Sequence, residues 1–544
     1  MPKATEKQLI AARERTDSRP LAIGFYVTWD DSSFASLEAV ISKLDWVVPS
    51  WLELTGPDLH LKTSVDYRSV ELIGKQKTRP SVLPMLQNAT DGKWDGPGLA
   101  RMLADPAVRK ERIDSLVSFV EKNNAQGLVV DFEEVPKDAQ RNYLTFLREL
   151  RAVFAPRGWQ VAVAAPFDDK DWPYRSYAAA ADYQILMAYD EHFEEGAPGP
   201  IASQPWYVDK LTERMRELDP AKTIIALGNY AYDWSGAKSA VDMTFQEAVL
   251  ASQESEAPIT FDKQSLNPHF EYREDDGSTH QVWLLDAVTA QNQMRAADVF
   301  RPKGYALWRL GSEDPSIWSL FGRAYDAPIP ESLTTIVPGS DVDFEGDGEI
   351  LNIAAEPTNG SRTFETDKAR RLITSETFTK IPTSYVIRRS GWQPGKVALT
   401  FDDGPSAEWT PKVLDILKAK GVKATFFVIG ENGEANPGLV QRVLAEGHEI
   451  GNHTFTHPNI AQASAEGARL ELNATQRLVQ ALTGRSIRLF RPPFFGDAEP
   501  STPEEITAVK LAQSLGYATV GCASTPTIGP ARRPTPLSPA SCIA

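Results

Sequence analysis

Cysteine is almost missing from this chain. Its 544 residues include two, Cys522 and Cys542, both close to the C-terminus, so the body carries no disulfide framework. Basic charge is also short: 57 Lys and Arg against 73 Asp and Glu leave a net charge of −16. That balance excludes nucleic acid and an anionic membrane as the main partner and suits a neutral one such as a glycan. No apolar run is long enough to span a bilayer. Met1 to Pro20 is polar and charged, without the apolar stretch of a signal peptide. The sequence as it stands reads as cytoplasmic; with a start further upstream it would read as cell-envelope or extracytoplasmic. Histidine is scarce as well, at seven residues, which gives weight to any clustering of it.

What is there is ordinary globular material, 42% hydrophobic and 24% charged, in a chain too long for one core. After an N-terminal tail, residues 1–20, short apolar runs alternate with helical patterns. The runs are Leu21–Trp29, Leu44–Leu54, Pro80–Leu86, Gly127–Glu133, Gln160–Phe167, Tyr183–Tyr189, Thr223–Tyr230 and Gly304–Gly311. They predict an α/β fold, a (β/α)8 TIM-like barrel over residues 21–327 with a subdomain inserted at 233–286. Residues 328–395 are rich in Pro, Gly, Ser, Thr and acidic side chains and read as a linker with some short strands. The βα rhythm resumes over 396–521 and stops at Gly521. Residues 522–544 read as an aberrant, disordered tail.

Three of the seven histidines, His448, His453 and His457, lie within ten residues. His453 and His457 are spaced i, i+4, which on a helical turn places both rings on one face and suits two ligands of one divalent metal. The alternative is a pair of surface histidines. Thr400-Phe401-Asp402-Asp403-Gly404-Pro405 ends an apolar strand, where adjacent carboxylates occupy the catalytic face of a barrel, although Asp-Gly-Pro is also good turn chemistry. Arg491-Pro492-Pro493-Phe494 follows another strand. In this order the three runs resemble the NodB-type polysaccharide deacetylases, carbohydrate esterase family 4. The resemblance implies a distorted (β/α) barrel, C-terminally truncated here, and assigns Asp403, His453 and His457 to the metal. It makes Asp402 the base for the attacking water, Arg491 the residue that fixes Asp402, and Phe494 a substrate contact. Zinc is the expected metal, and Co2+ or Ni2+ would satisfy the same ligands. Two parts of the family pattern are missing: a later Asp-x-x-Asp-Trp motif, and a Leu-x-His motif whose histidine is the general acid. No histidine follows His457. A back-translation of the segment after Gly521, read one base earlier, permits Leu-Arg-Ile-Asp-Pro-Asp-Asp-Trp. A shifted reading frame, and weak deacetylase activity from these residues, are therefore expected.

In Gly127-Leu128-Val129-Val130-Asp131-Phe132-Glu133, Asp131 and Glu133 alternate onto one strand face, and paired carboxylates at a barrel mouth are a glycosidase signal. With Leu186–Asp190 and Ala306-Leu307-Trp308 at two further strand ends, the pattern is similar to glycoside hydrolase family 18, closest to its spore-type peptidoglycan hydrolases. The full signature has two further aspartates, replaced here by Gln126 and Val129. The resemblance makes Glu133 the acid for the glycosidic oxygen and gives Asp131 and Tyr189 the substrate's acetamide. It makes Trp308 the floor under the sugar; the alternative for Trp308 is a packed core aromatic.

The function expected from the whole is metal-dependent removal of N-acetyl groups from a GlcNAc polysaccharide of chitooligosaccharide or peptidoglycan type. The alternatives are a glycan hydrolase or a glycan-binding protein acting through the barrel. The partner is an N-acetylated polysaccharide or oligosaccharide. Longer relatives of the domain pair it resembles often continue into a membrane-embedded glycosyltransferase domain, so the resemblance allows a glycosyltransferase partner or a further downstream domain.

Overall fold

The structure, a computed structural model, describes Thr5 and residues 19–90, 92–236, 239–274, 276–339, 342–369, 371–494, 500 and 503–521. The tail expected at 522–544 lies outside the described residues.

All eight apolar runs of the N-terminal half become parallel staves of one sheet. Leu21–Tyr26 pairs with Gly304–Trp308 on one side and with Trp46–Pro49 on the other, which closes the ring. Two of the runs are broken in the middle. Trp46–Pro49 continues as Leu52–Thr55, and Ser81–Val82 continues as Met85–Gln87, with each half pairing its counterpart or the next stave. Gly127–Asp131, Gln160–Pro166, Tyr183–Met187 and Thr223–Gly228 complete the order. Because neighbouring staves are buried on both faces, each reads as a continuous apolar run rather than an alternating one.

The inserted subdomain is an antiparallel sheet in the order Val241–Met243, Ala231–Trp234, Thr279–Leu284, Pro268–Arg273, Thr260–Phe261. Its helix Phe245–Glu254 opens on a capping box, with Thr244 accepting from the Glu247 N–H and Glu247 accepting from the Thr244 N–H.

The stretch expected as a linker with some short strands holds strands that join both compact units. Gly360–Asp367 and Leu372–Lys380 form a long hairpin that belongs to the barrel unit, which comprises Met1–Gly339 and Thr358–Thr383. Ile373 joins the main barrel core, and Phe378 packs with Phe245 of the inserted subdomain. The fully buried Asn292 side chain pairs with both backbone groups of Ile373 at 2.8 Å. Flanking Pro and Gly and the many Thr, Ser and Glu residues disguise these strands, whose apolar partners come from remote sequence.

The other unit comprises Ser340–Pro357 and Ser384–Ala544. Its sheet runs Val342–Glu345, Tyr385–Ser390, Ile350–Ala355, Ala518–Val520, Leu489–Phe490, Glu449–Asn452, Thr425–Val428, Thr400–Gly404, the last five being parallel. Ile350–Ala355 lies antiparallel to Ala518–Val520, so segments taken for linker extend the deacetylase-like sheet. Among the described residues this sheet stays open rather than closing into a barrel.

Candidate active sites

Along the barrel staves alternate side chains point inward. Ile23, Phe25, Trp46, Val48, Met85, Val129, Ala162, Ile185 and Ala306 fill the interior. The next inward positions toward the C-terminal ends are Gln87, Asp131, Met187 and Trp308. With Trp29, Trp94, Glu133, Tyr189 and Asp190 they line a cavity of about 670 Å³. The period-two pattern that packs the barrel thus delivers the polar and aromatic residues to its mouth.

Asp131 is buried. One carboxylate oxygen accepts from Gln87 Nε2 at 2.9 Å, and Oδ1 has no hydrogen-bond partner among the described residues. Burial raises its pKa to about 6. Glu133 is raised further, to about 8, first by burial and then by the neighbouring Asp131, Asp190 and Glu134 carboxylates. Two carboxyls sharing one desolvated site hold a proton where isolated ones would not. The Glu133 backbone is fixed on both sides by Asn88, whose side chain accepts from the Glu133 N–H at 2.9 Å and donates to its carbonyl at 3.0 Å. Tyr189 is also pushed well up by burial and stays a neutral donor. Trp308 meets Phe25 edge-on at 5.4 Å while also lining the cavity.

The two family aspartates that are replaced have become structural. Val129 is fully buried in the barrel interior. Gln126 closes the foot of the strand, accepting from the Val82 N–H at 2.8 Å and donating to the Asn124 carbonyl at 2.6 Å. Gln87 and Asn88 escaped the sequence reading, and Asp190 entered it only as the last residue of the Leu186–Asp190 run, without a role. The first two end a stave, and that position is the one signal for them. Asp190 accepts from the Tyr230 hydroxyl and shares with Trp308 a second, smaller cavity of about 180 Å³.

In the other unit Asp402 and Asp403 end the strand Thr400–Gly404, and His453 follows the strand Glu449–Asn452. The structure brings Asp403, His453 and His457 together, with one potential ligand atom from each lying within 4.8 Å of the others. Asp403 Oδ1 is 3.3 Å from His453 Nε2 and 3.1 Å from His457 Nε2. The expected helical turn is not what joins the histidines. Residues 453–457 form a loop in which Thr454 and His457 have φ of 66° and 61°. Asp403 also lies in the left-handed region, at 66°. Such conformations cost about 1–3 kcal/mol each, and they cluster at ligand clamps.

The donor set suits a cation. The His453 Nδ1–H donates to the Arg491 carbonyl at 2.7 Å, which turns Nε2 toward Asp403. The adjacent His453 ring, with His457, holds the Asp403 carboxyl below its ordinary range, and burial with the neighbouring His453 lowers His457. The carboxylate is thus ionised and the His457 imidazole neutral, as ligation requires.

Beside them Arg491 Nη1 contacts both oxygens of Asp402 at 2.9 and 3.2 Å and also donates to Thr400 Oγ1 at 2.9 Å. Both partners are nearly excluded from solvent. The guanidinium is held in turn by the Val520 and Gly521 carbonyls and lies over the Phe427 ring at 4.2 Å. Phe494 is 66% exposed, its ring 4.9 Å from that of His457, at the rim of the site.

Comparisons with known proteins follow this division. The glycosyl hydrolases family 18 model matches residues 22–313, and the polysaccharide deacetylase model matches residues 391–520. A peptidoglycan-N-acetylglucosamine deacetylase of Bacillus cereus is 48% identical over 103 residues, 19% of this chain and 38% of that protein. The uncharacterized glycosylase YvbX of Bacillus subtilis is 26% identical over 268 residues, 46% of this chain and 77% of that protein. Among solved structures, a chitinase from Chromobacterium violaceum matches with a TM-score of 0.52 at 21% identity, covering 57% of this chain and 99% of that one. The Bacillus cereus spore cortex-lytic enzyme SleL matches at 0.51 and 20%, covering 57% and 76%. These two likenesses establish the barrel fold. With a family model spanning more than half of its length, the chain belongs to the glycosyl hydrolases family 18, and it carries a polysaccharide deacetylase segment behind the barrel.

Proposed function

We propose that this protein is a hydrolase of N-acetylated glucosamine polymers, whose deacetylase segment removes acetyl groups and whose barrel engages the same glycan. The observation that carries the reading is the juxtaposition of Asp403, His453 and His457 with the Asp402–Arg491 ion pair. A divalent ion held by the three ligands, zinc by its donor preference with Co2+ or Ni2+ as substitutes, supplies Lewis-acid polarisation and an acidified water. Asp402 takes the proton of the attacking water, and Arg491 orients its carboxylate. Phe494 offers an apolar face to the sugar at the rim.

In the barrel, Glu133 protonates the leaving glycosidic oxygen. Asp131 accepts from the acetamide N–H of the substrate, and Tyr189 donates to the acetamide oxygen. The acetamide then attacks its own anomeric carbon, the substrate-assisted route. Trp308 supports the sugar ring. The free Asp131 Oδ1 and the raised Glu133 favour this as a second activity over a purely binding barrel.

Acetate release and reducing-end release, measured together on β-linked GlcNAc oligomers and on peptidoglycan glycan strands, test both parts. Acetate release supports the deacetylase reading. Reducing ends alone would leave the barrel as the working enzyme, and the absence of both products would overturn the hydrolase reading.

A further inference from the structure

The loop that carries both histidines contributes no helix and no strand of its own, yet its backbone is closely tied. The Thr454 N–H donates to Asn452 Oδ1 at 2.9 Å. The Thr454 carbonyl accepts from the Gly430 N–H at 3.0 Å and from Thr475 Oγ1 at 2.7 Å. The Phe455 carbonyl accepts from the Glu431 N–H at 3.0 Å, and the His457 N–H donates to Thr454 Oγ1 at 3.1 Å. The middle of the loop rests on one side chain. Glu471, on the helix Ala465–Thr483, accepts from the Phe455 N–H at 2.7 Å and the Thr456 N–H at 2.8 Å through Oε2. Through Oε1 it accepts from the Thr456 hydroxyl at 2.8 Å. Gly430 leaves room on the other side, since a Cβ there would fall 2.1 Å from the Phe455 ring.

We propose that Glu471 is a positioning residue for the metal centre: its carboxylate clamps residues 455–456 and thereby holds His453 and His457 at the separation that one cation requires. The proposal rests on the metal-ligand reading of those histidines. Its physical basis is the strain in the loop. Thr454 and His457 occupy left-handed conformations that an unsupported loop would abandon. A carboxylate accepting two amide N–H groups and a hydroxyl is a strong, charge-assisted clamp. Without it the ligands must be gathered during binding, and the ordering cost appears as lost affinity. Outer partners of metal ligands are typically worth about 10- to 100-fold in affinity.

The test is titration of the full-length apo-protein with Zn2+ and with Co2+, the latter followed through its visible absorption, for wild type, Glu471→Ala, Glu471→Gln and Thr456→Val. Circular dichroism and thermal unfolding of the metal-free proteins run alongside. Glu471→Ala is expected to weaken both metals about 10- to 100-fold and to alter the Co2+ spectrum. Glu471→Gln, whose carbonyl oxygen still accepts from the amides and whose NH2 still reaches the Thr456 oxygen, should remain closer to wild type. Thr456→Val, which removes the hydroxyl contact alone, should fall between wild type and Ala. Wild-type affinity and spectrum in folded Ala and Val variants would overturn the clamp while leaving the ligand assignment standing. Failure of the wild type to bind either metal would overturn the ligand assignment itself, and the clamp with it. If Glu471→Ala does not fold, Thr456→Val and Glu471→Gln decide: affinity unchanged in the first and lost in the second contradicts the geometry.

Discussion

Two carboxyls two residues apart, Asp131 at the end of its stave and Glu133 just beyond it, are both raised by burial, and Glu133 is raised further by its negative neighbours. Glu133 is raised to about 8 and Asp131 to about 6, so between these values the site holds a proton on the acid while Asp131 is ionised. Reducing-end release should therefore peak between about pH 6 and pH 8, falling above as Glu133 ionises and below as Asp131 protonates. A rate still rising at pH 9 would contradict this assignment. The stability sign follows from the same shift. A carboxyl raised in the folded state contributes stability that is fully present below its unfolded value and is lost as pH rises through the folded one. Glu133→Gln should accordingly lower turnover by about 100- to 10,000-fold while keeping oligomer binding. Its thermal midpoint should also exceed that of wild type at pH 9 but not at pH 4. In the other unit, Asp403→Ala and His453→Ala should each abolish stoichiometric metal binding. Metal retained at full occupancy in both variants would remove those residues from the ligand set.

The hairpin Gly360–Lys380 shows what an element can hide. Its Arg362 is fully buried and ion-paired with Asp286, Asp314 and Glu376, also fully buried, while Nε donates to the Leu333 carbonyl. One cation faces three carboxyls, and burial with the neighbouring Asp286 pushes Glu376 well up, toward its neutral form. Arg362→Ala leaves those acids desolvated and unpaired, and should cost about 3–5 kcal/mol in chemical denaturation of the barrel. A loss under 1 kcal/mol would mean that the hairpin docks by its apolar contacts alone.

The docking of this hairpin was not legible in the sequence, where residues 328–395 look like a linker with some short strands. The barrel staves were legible because burial on both faces writes a continuous apolar run. The hairpin strands were not, because one buried position is an arginine and their partners are remote in sequence, Asp286 for Arg362 and Phe245 for Phe378. The candidate sites fared similarly. Strand-end carboxylates could be read from their position, whereas the i, i+4 histidines turned out to be joined by a strained loop rather than a helix. Glu471 carries no local signal, and Gln87 and Asn88 carry only their place at the end of a stave, since tertiary structure brings all three to the residues they hold.

Neither compact unit is a contiguous stretch of chain. The barrel unit takes back Thr358–Thr383 after the chain has passed through Ser340–Pro357, which belongs with the deacetylase-like sheet. Each unit nevertheless has its own apolar core, built around Leu37 to Ile373 in one and Leu414 to Tyr517 in the other, and the candidate metal ligands all lie in the second. Ligand binding stabilises the unit that binds, by about 2.7 kcal/mol at a hundredfold excess over Kd, and is silent in a unit that does not. Calorimetry of the full chain should thus show a metal-sensitive transition that moves down on chelation and a metal-insensitive one that does not. Under the same chelator, acetate release should disappear while reducing-end release persists, because Asp131 and Glu133 need no metal for the substrate-assisted route. Return of acetate release on adding Zn2+ completes the test. Loss of both activities on chelation, or one transition shifting as a whole, would mean that the two sites depend on each other in a way their separate cores do not require.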